Sequence, residues 1–164
     1  LEAASAARSG IVLEGLSLEI GEGASVTADS AGTSVKTDQD ITVSEESSLH
    51  ATSDGSYGVR ADGDIAVTDA TLSATSTSVA VWARGSVSVS DAEVTTESAP
   101  NSLRSEGTLS VSGDSVVTAV GGVFGEKGVS VAPVDGEKVD LWLGGLRGGG
   151  RPLREHRRQH PLAV

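Results

Sequence analysis

Five side chains that recur every 20 to 24 residues combine cationic groups with aromatic rings. Each is the middle residue of a short alternating run, and we name the set the cation–aromatic column: Lys36, Arg60, Trp82, Arg104 and Phe124. An indole face can stack on the C–H face of a pyranose ring, and a guanidinium can hold a uronate or a sulfate. The alternative is a cation–π ladder that only stabilises the protein, by about 0.5–1 kcal/mol for each exposed pair.

A second set of residues offers oxygen ligands. The segments DQDI and DGDI place four carboxylates on neighbouring repeats, and we name them the carboxylate corner: Asp38, Asp40, Asp62 and Asp64. Such a cluster repels itself unless it is protonated, solvated or neutralised by a cation, and hard oxygen ligands suit Ca²⁺. The sequence therefore predicts a calcium site there, with the frequent use of Asp in turns as the alternative.

Two further columns have structural interpretations. An acidic column follows the first run of each repeat, and we interpret it as a solvated stripe that discourages aggregation: Glu22, Glu45, Asp69 and Asp91. A hydroxyl-rich column lies in the second run: Thr27, His50, Ser73, Thr95 and Thr118. No neighbouring residue marks His50 as a catalytic base, so its role is predicted to be structural.

A repeat of about 22 residues must position all of these columns. Six segments open with alternating apolar residues, and they start at Leu18, Ile41, Ile65, Val87, Leu109 and Val129. Second runs start at Val26, Leu49, Leu72, Val94 and Val117, and third runs at Val35, Val59, Val81, Leu103 and Val123. In each run the first and third side chains are predicted to point inward and the middle one outward.

This pattern predicts an all-β fold, a single-stranded parallel β-helix solenoid with three short strands per coil and about six coils. We expect a right-handed coil, because repeats near 22 residues with unequal corners suit it better than short six-residue steps do. An antiparallel sandwich would explain the strands, but it would not explain why three distinct runs keep their order in five repeats.

The chain divides into three parts by pattern. Residues 1–10 are interpreted as an N-terminal remnant, residues 11–143 as the solenoid, and residues 144–164 as a basic Gly/Arg-rich tail that is predicted to be disordered. Val12 is aligned with Val35 by its distance from the next repeat, and Trp142 is predicted to cap the last coil. The start at Leu1 without a Met suggests a piece of a longer protein.

Composition excludes several classes of function. The net charge is −11 over 164 residues, with 12 basic and 23 acidic side chains, which argues against nucleic acid as a partner. There is no Cys, and hence no disulfide framework or thiol chemistry. No apolar stretch approaches the roughly 18 residues that a membrane span needs.

The segments ITVS, YGVRADGD, IAVTDATLSAT, VSVSDAEVTTE and LSVSGDSVVTA resemble bacterial surface β-helices. In particular, residues 11–143 are similar to the carbohydrate-binding β-helix domains and adhesin-like repeats of secreted bacterial proteins. The resemblance implies an extracellular or cell-surface location. It also implies that the carboxylate corner could bind calcium, since those domains can do so.

The sequence thus predicts a non-enzymatic extracellular recognition module that binds an acidic polysaccharide on the cation–aromatic column. One alternative is a passive structural spacer of a larger surface adhesin. A second alternative is a fragment of a polysaccharide lyase or hydrolase, although no G-x-S-x-G, H-E-x-x-H or phosphate-loop motif is present.

Overall fold

The structure is a computed structural model that describes residues 1–5, 9–132 and 140–144. Every regular element in these residues is a β-strand. The strands are β1 (Glu2–Ser5), β2 (Ser9–Leu13), β3 (Leu18–Ile20), β4 (Ser25–Ser30), β5 (Thr33–Thr37), β6 (Ile41–Ser44), β7 (Ser48–Ser53), β8 (Tyr57–Ala61), β9 (Ile65–Thr68), β10 (Thr71–Ser76), β11 (Val79–Ala83), β12 (Val87–Ser90), β13 (Glu93–Ser105), β14 (Thr108–Ser112), β15 (Val116–Gly125), β16 (Gly128–Ala132) and β17 (Asp140–Gly144).

The strands stack in parallel to form a β-solenoid of about five turns. The first runs form a six-stranded sheet in the order β16-β14-β12-β9-β6-β3. The second and third runs form an eleven-stranded sheet along the path β1-β4-β7-β10-β13-β11-β8-β5-β2, with β15 on β13 and β17 on β15. All strand pairs among the described residues are parallel, which rules out the antiparallel sandwich for this part of the chain.

Alternation of side chains explains where the core lies. In β6, Ile41 and Val43 are buried while Thr42 between them is half-buried. The pairing then sets Ile41 on Ile65 and Val43 on Val67 in the next turn, so that apolar side chains continue along the axis. A narrow interior accepts Val, Ile, Leu and Ala, which accounts for the scarcity of aromatic residues.

Buried hydroxyls line one corner of the coil. Ser53 Oγ donates to the carbonyl of Gly32 and accepts from the amide of Gly55, and Ser76 Oγ donates to the carbonyl of Ser56 at 3.2 Å. Within the described residues, no buried side-chain nitrogen or oxygen lacks a hydrogen-bond partner. The serine hydroxyls therefore form hydrogen bonds with backbone groups of the turns that are not paired within the sheets.

The predicted alignment of Val12 with Val35 is wrong by one residue. The structure pairs Ile11 with Val35 and Val12 with Lys36, so Ile11 packs on the core and Val12 points outward. Four residues separate β2 from β3, whereas three separate β5 from β6. Counting backward from Leu18 therefore shifted the register, and a shift of one residue exchanges the two faces of a strand.

The fourth and fifth repeats differ from the earlier ones. Their second and third runs, predicted as separate strands, merge into the single long strands β13 and β15 because the corner between them remains extended. At the chain's ends, β1 pairs with β4 and β17 pairs with β15. The tail predicted to be disordered begins at Gly144, which is the last residue of β17. Residues 145–164 of the tail lie outside the described residues, as does the side chain of Trp142.

Candidate functional site

The cation–aromatic column is aligned residue on residue along the stack. Lys36 pairs with Arg60 and Trp82 with Arg60, and the column continues from Trp82 to Arg104 and from Arg104 to Phe124. A buried apolar residue precedes each of the first four column residues, such as Val81 before Trp82, whereas Val123 before Phe124 is only partly buried. Successive members are therefore separated by the roughly 4.8 Å of adjacent strands.

Arg60 is close to two aromatic rings that are also close to each other. Its Cζ atom is 4.9 Å from the ring centroid of Trp82 and 5.4 Å from that of Tyr57. The two ring centroids are 5.9 Å apart, with their planes tilted by 49°. The sequence analysis missed Tyr57, because Gly58 and Val59 are both buried and the strict alternation that would have placed Tyr57 on the outer face is interrupted.

Each cation of the column has a carboxylate partner. Lys36 Nζ lies 3.3 Å from Asp38 Oδ1, Arg60 Nη2 lies 2.9 Å from Asp62 Oδ1, and the third pair joins Arg104 Nη2 to Glu126 Oε1 at 2.8 Å. The side chains of all three pairs are partly exposed, so each pair contributes at most about 1 kcal/mol to stability. The face is therefore locally neutral rather than basic.

The four side chains of the carboxylate corner make two kinds of contact. Asp38 and Asp62 form the ion pairs just described, whereas Asp40 Oδ1 accepts the backbone N–H of Asp64 at 2.8 Å. Asp64 Oδ1 accepts the backbone N–H of Ser86 at 2.7 Å in the same way. Each of these two carboxylates thus caps the turn of the next coil.

No group of three or more His, Asp or Glu side chains within residues 1–5, 9–132 and 140–144 is arranged to hold a metal ion. The carboxylate corner supplies adjacent oxygen atoms, but the contacts above already engage each of its four side chains. The calcium site stays a prediction.

The acidic column occupies turns with a left-handed backbone. Its members have φ values between 49° and 56°. Asp91 Oδ1 accepts the backbone N–H of Asp114 at 3.0 Å, and Asp91 Oδ2 accepts the hydroxyl of Ser90 at 2.9 Å. These two hydrogen bonds, the backbone one first, lower the pKa of Asp91. The column is exposed, and it also joins consecutive turns.

The hydroxyl-rich column is aligned as well. Thr27, His50, Ser73, Thr95 and Thr118 are successive register partners. His50 is exposed on β7, the second strand of this series. The structural interpretation of His50 stays a prediction.

A groove of about 310 Å³ opens at the C-terminal end of the cation–aromatic column, and its lining is Asn101, Arg104, Phe124 and Glu126. Phe124 is the most exposed aromatic side chain of the column, at 54%. The sequence analysis did not single out Asn101 or Glu126. The repeat spacing could have indicated Glu126, which lies 22 residues after Arg104 and so falls on the adjacent coil.

Comparison with known proteins gives no relative: no family model, no curated protein and no solved structure matches the chain. Function is therefore inferred from the residues of the columns. Among the described residues, no helix is long and apolar enough to cross a membrane.

Proposed function

We propose that the chain is a non-enzymatic extracellular recognition module that binds an acidic polysaccharide along the cation–aromatic column. The observation that carries the proposal is the register that sets Trp82 between Arg60 and Arg104 on adjacent strands. A flat aromatic face between two guanidinium groups can hold a sugar ring and two flanking acid groups at once.

The arginines keep donors for a ligand. A guanidinium has five N–H groups. Within the described residues, Arg60 donates to Asp62 through Nε and Nη2, and Arg104 donates to Glu126 through Nη2. An incoming carboxylate or sulfate can use the remaining N–H donors while these ion pairs stay in place. Because the chain carries a net charge of −11, binding of an acidic polymer will depend on the ionic strength.

We also propose the handedness of the coil, the number of strands per coil, the location of the protein and a bound ion. The coil is right-handed with three strands per coil, supported by the 22-residue repeat and the three alternating runs in each. The setting is the cell surface or the extracellular space, and Ca²⁺ binds at the carboxylate corner. The support for these last points is the resemblance to bacterial surface β-helices.

A passive spacer of a larger surface adhesin is the second candidate. One observation favours it: Arg60 already has Asp62 as its ionic partner and the rings of Tyr57 and Trp82 as its stacking partners. A column that satisfies itself in this way needs no ligand. The regular stack would then serve only to extend the protein.

Substitution of Trp82 separates the two candidates. If the column binds glycan, Trp82→Ala abolishes retention on an acidic polysaccharide column and changes the melting temperature little, because Trp82 is only half-buried. Trp82→Phe is the matched control, since it keeps a flat aromatic face. A loss of thermal stability with unchanged retention would favour the spacer. Release of sugar products from uronic-acid polymers would instead indicate a lyase or a hydrolase.

A further inference from the structure

The groove lined by Asn101, Arg104, Phe124 and Glu126, which we name the Phe124 groove, lies where the regular strand pairing of the stack is interrupted. The pairing of β13 with β15 shifts register between Glu97 and Leu103. Glu97 pairs with Val120 and Leu103 with Val123, so β13 contains three more residues than β15 between these two pairs. Over this stretch the chain of β13 therefore extends beyond the chain of β15. Such bulges often lie beside functional sites because they re-aim side chains and interrupt pairing.

Two glycines form the short corner of β15. Gly121 has φ = 128°, and a Cβ atom there would meet the carbonyl oxygen of Ser98. A Cβ atom at Gly122 would lie 2.9 Å from both Phe124 Cε2 and the carbonyl oxygen of Pro100. Any side chain at Gly122 would therefore crowd the ring of Phe124. Glycine in a strand interior often marks a close approach of another backbone, and here the carbonyl oxygens of Ser98 and Pro100 make that approach.

The lining of the groove combines an apolar face with hydrogen-bond donors and acceptors. Phe124 offers an exposed ring, Asn101 carries an amide, and Arg104 and Glu126 form an ion pair with an N–O distance of 2.8 Å. The exposed fractions of these two charged side chains are 40% and 50%. At about 310 Å³ the groove lies at the lower end of the roughly 300–1,000 Å³ of ligand pockets, which suits one ring rather than a chain segment.

The charge of the groove argues for an uncharged ligand. The carboxylate of Glu126 compensates the guanidinium of Arg104, so a uronate entering the groove would meet a like charge. Sugar hydroxyls, in contrast, can donate to the carboxylate and accept from the guanidinium and the amide. The apolar C–H face of the ring would then lie on Phe124.

We infer that the Phe124 groove is a binding subsite for a single neutral pyranose ring. The inference rests on the proposed function in that the ring belongs to a polysaccharide, whose acid groups lie on the Lys36-to-Arg104 part of the column. The groove thus supplies specificity for one uncharged sugar unit.

The test measures binding of the full chain to two sets of oligosaccharides by calorimetry. One set is neutral and built of glucose, mannose, galactose or xylose, and the other is built of galacturonate. We expect Phe124→Ala to weaken binding of a neutral ligand by about tenfold or more. Phe124→Tyr keeps the aromatic face and should retain binding. Val129→Ala is the control, because Val129 is exposed to a similar degree, 49%, outside the groove.

The possible outcomes separate the groove from the column. Loss on Phe124→Ala with retention in Phe124→Tyr and Val129→Ala supports the subsite. Binding of galacturonate oligosaccharides alone, unchanged by Phe124→Ala, would overturn the subsite and leave the proposed function standing. If wild type binds neither set, both ideas fail. An unchanged melting temperature of Phe124→Ala shows that the loss of binding is local.

Discussion

At the scale of single residues, side chains bond to the backbone of neighbouring coils. Asp40, Asp64 and Asp91 each accept a backbone N–H from the next turn of the solenoid. Asp suits these turns because its short carboxylate reaches such amides, and at Asp91 its backbone also tolerates a φ of 52°. The acid-rich corners therefore contribute to the fold whatever else they bind.

The first prediction concerns acid stability. Because the pKa of Asp91 is lowered in the folded state, its contribution to stability is present above the pKa of the unfolded chain. It is lost as the pH falls through the lower folded value, in the range below about pH 4. In Asp91→Asn the amide oxygen can still accept the N–H of Asp114 without titrating. We expect this variant to lose less melting temperature than wild type between about pH 5 and pH 3.

Melting curves at the two pH values test this prediction. Glu93→Gln is the control, since it removes an exposed carboxylate two residues away and should leave the wild-type drop nearly unchanged. Equal drops for wild type and Asp91→Asn would contradict the role given to the Asp114 amide.

A second prediction concerns the Arg60 contacts. We expect a double-mutant cycle of Arg60→Ala and Trp82→Ala to give a coupling free energy of about 0.5–1 kcal/mol, the range of a partly exposed cation–π pair. The measurement is the free energy of unfolding in denaturant for the four proteins. A coupling indistinguishable from zero would mean that the 4.9 Å approach of Arg60 to Trp82 contributes nothing to folding.

At the scale of the strands, inward positions and outward positions of one run have very different energetic roles. Leu72 on β10 is 1% exposed and pairs with Leu49 and Val94, while Ser73 beside it is half-buried on the outer side. A core of stacked aliphatic side chains tolerates no large cavity. Substitutions at inward and outward positions should therefore change the free energy of unfolding by different amounts.

The third prediction compares these two neighbours. Leu72→Ala should lower the free energy of unfolding by about 2–5 kcal/mol, because it opens a cavity between two packed turns. Ser73→Ala should change it by at most about 0.5 kcal/mol. Denaturant titration of both variants measures the difference. Similar losses for both would show that the inward and outward assignment of β10 is wrong.

The strands also show what the sequence could predict. The β-branched and aliphatic residues at Val35, Val59 and Val81 repeat at constant positions, so the inward face and the register of these turns could be predicted. Val12 was aligned with Val35 in place of Ile11 because the corner that follows β2 has one residue more than the corner after β5, and corner length is not encoded in the alternation. The Phe124 groove was missed because it arises where β15 is shorter than β13, a difference that has meaning only when the strands are paired.

At the scale of the whole molecule, each strand in the described part of the chain pairs only with strands of the turns directly beside it. Stability in such a stack is close to a sum of repeat and interface contributions, so the last strands open first. Val129 and Val131 on β16 are 49% and 44% exposed, whereas their partners Leu109 and Val111 are each 1% exposed. The core is therefore best covered in the middle of the solenoid.

The fourth prediction follows from this gradient. In hydrogen exchange under native conditions, amides of the central strand β9 should exchange more slowly than those of β16, the last strand of the same sheet. Peptide-resolved mass spectrometry can follow both. Equal protection of the two strands would indicate that the stack opens as one unit.

The most direct test of the proposed function is binding of the full chain to a glycan array, in Ca²⁺ and again in EDTA. The proposal predicts signals on acidic glycans that Trp82→Ala removes, and loss of those signals in EDTA would add support for calcium at the carboxylate corner. Silence on every acidic glycan in both buffers would contradict the recognition function and leave the passive spacer as the better account of the fold.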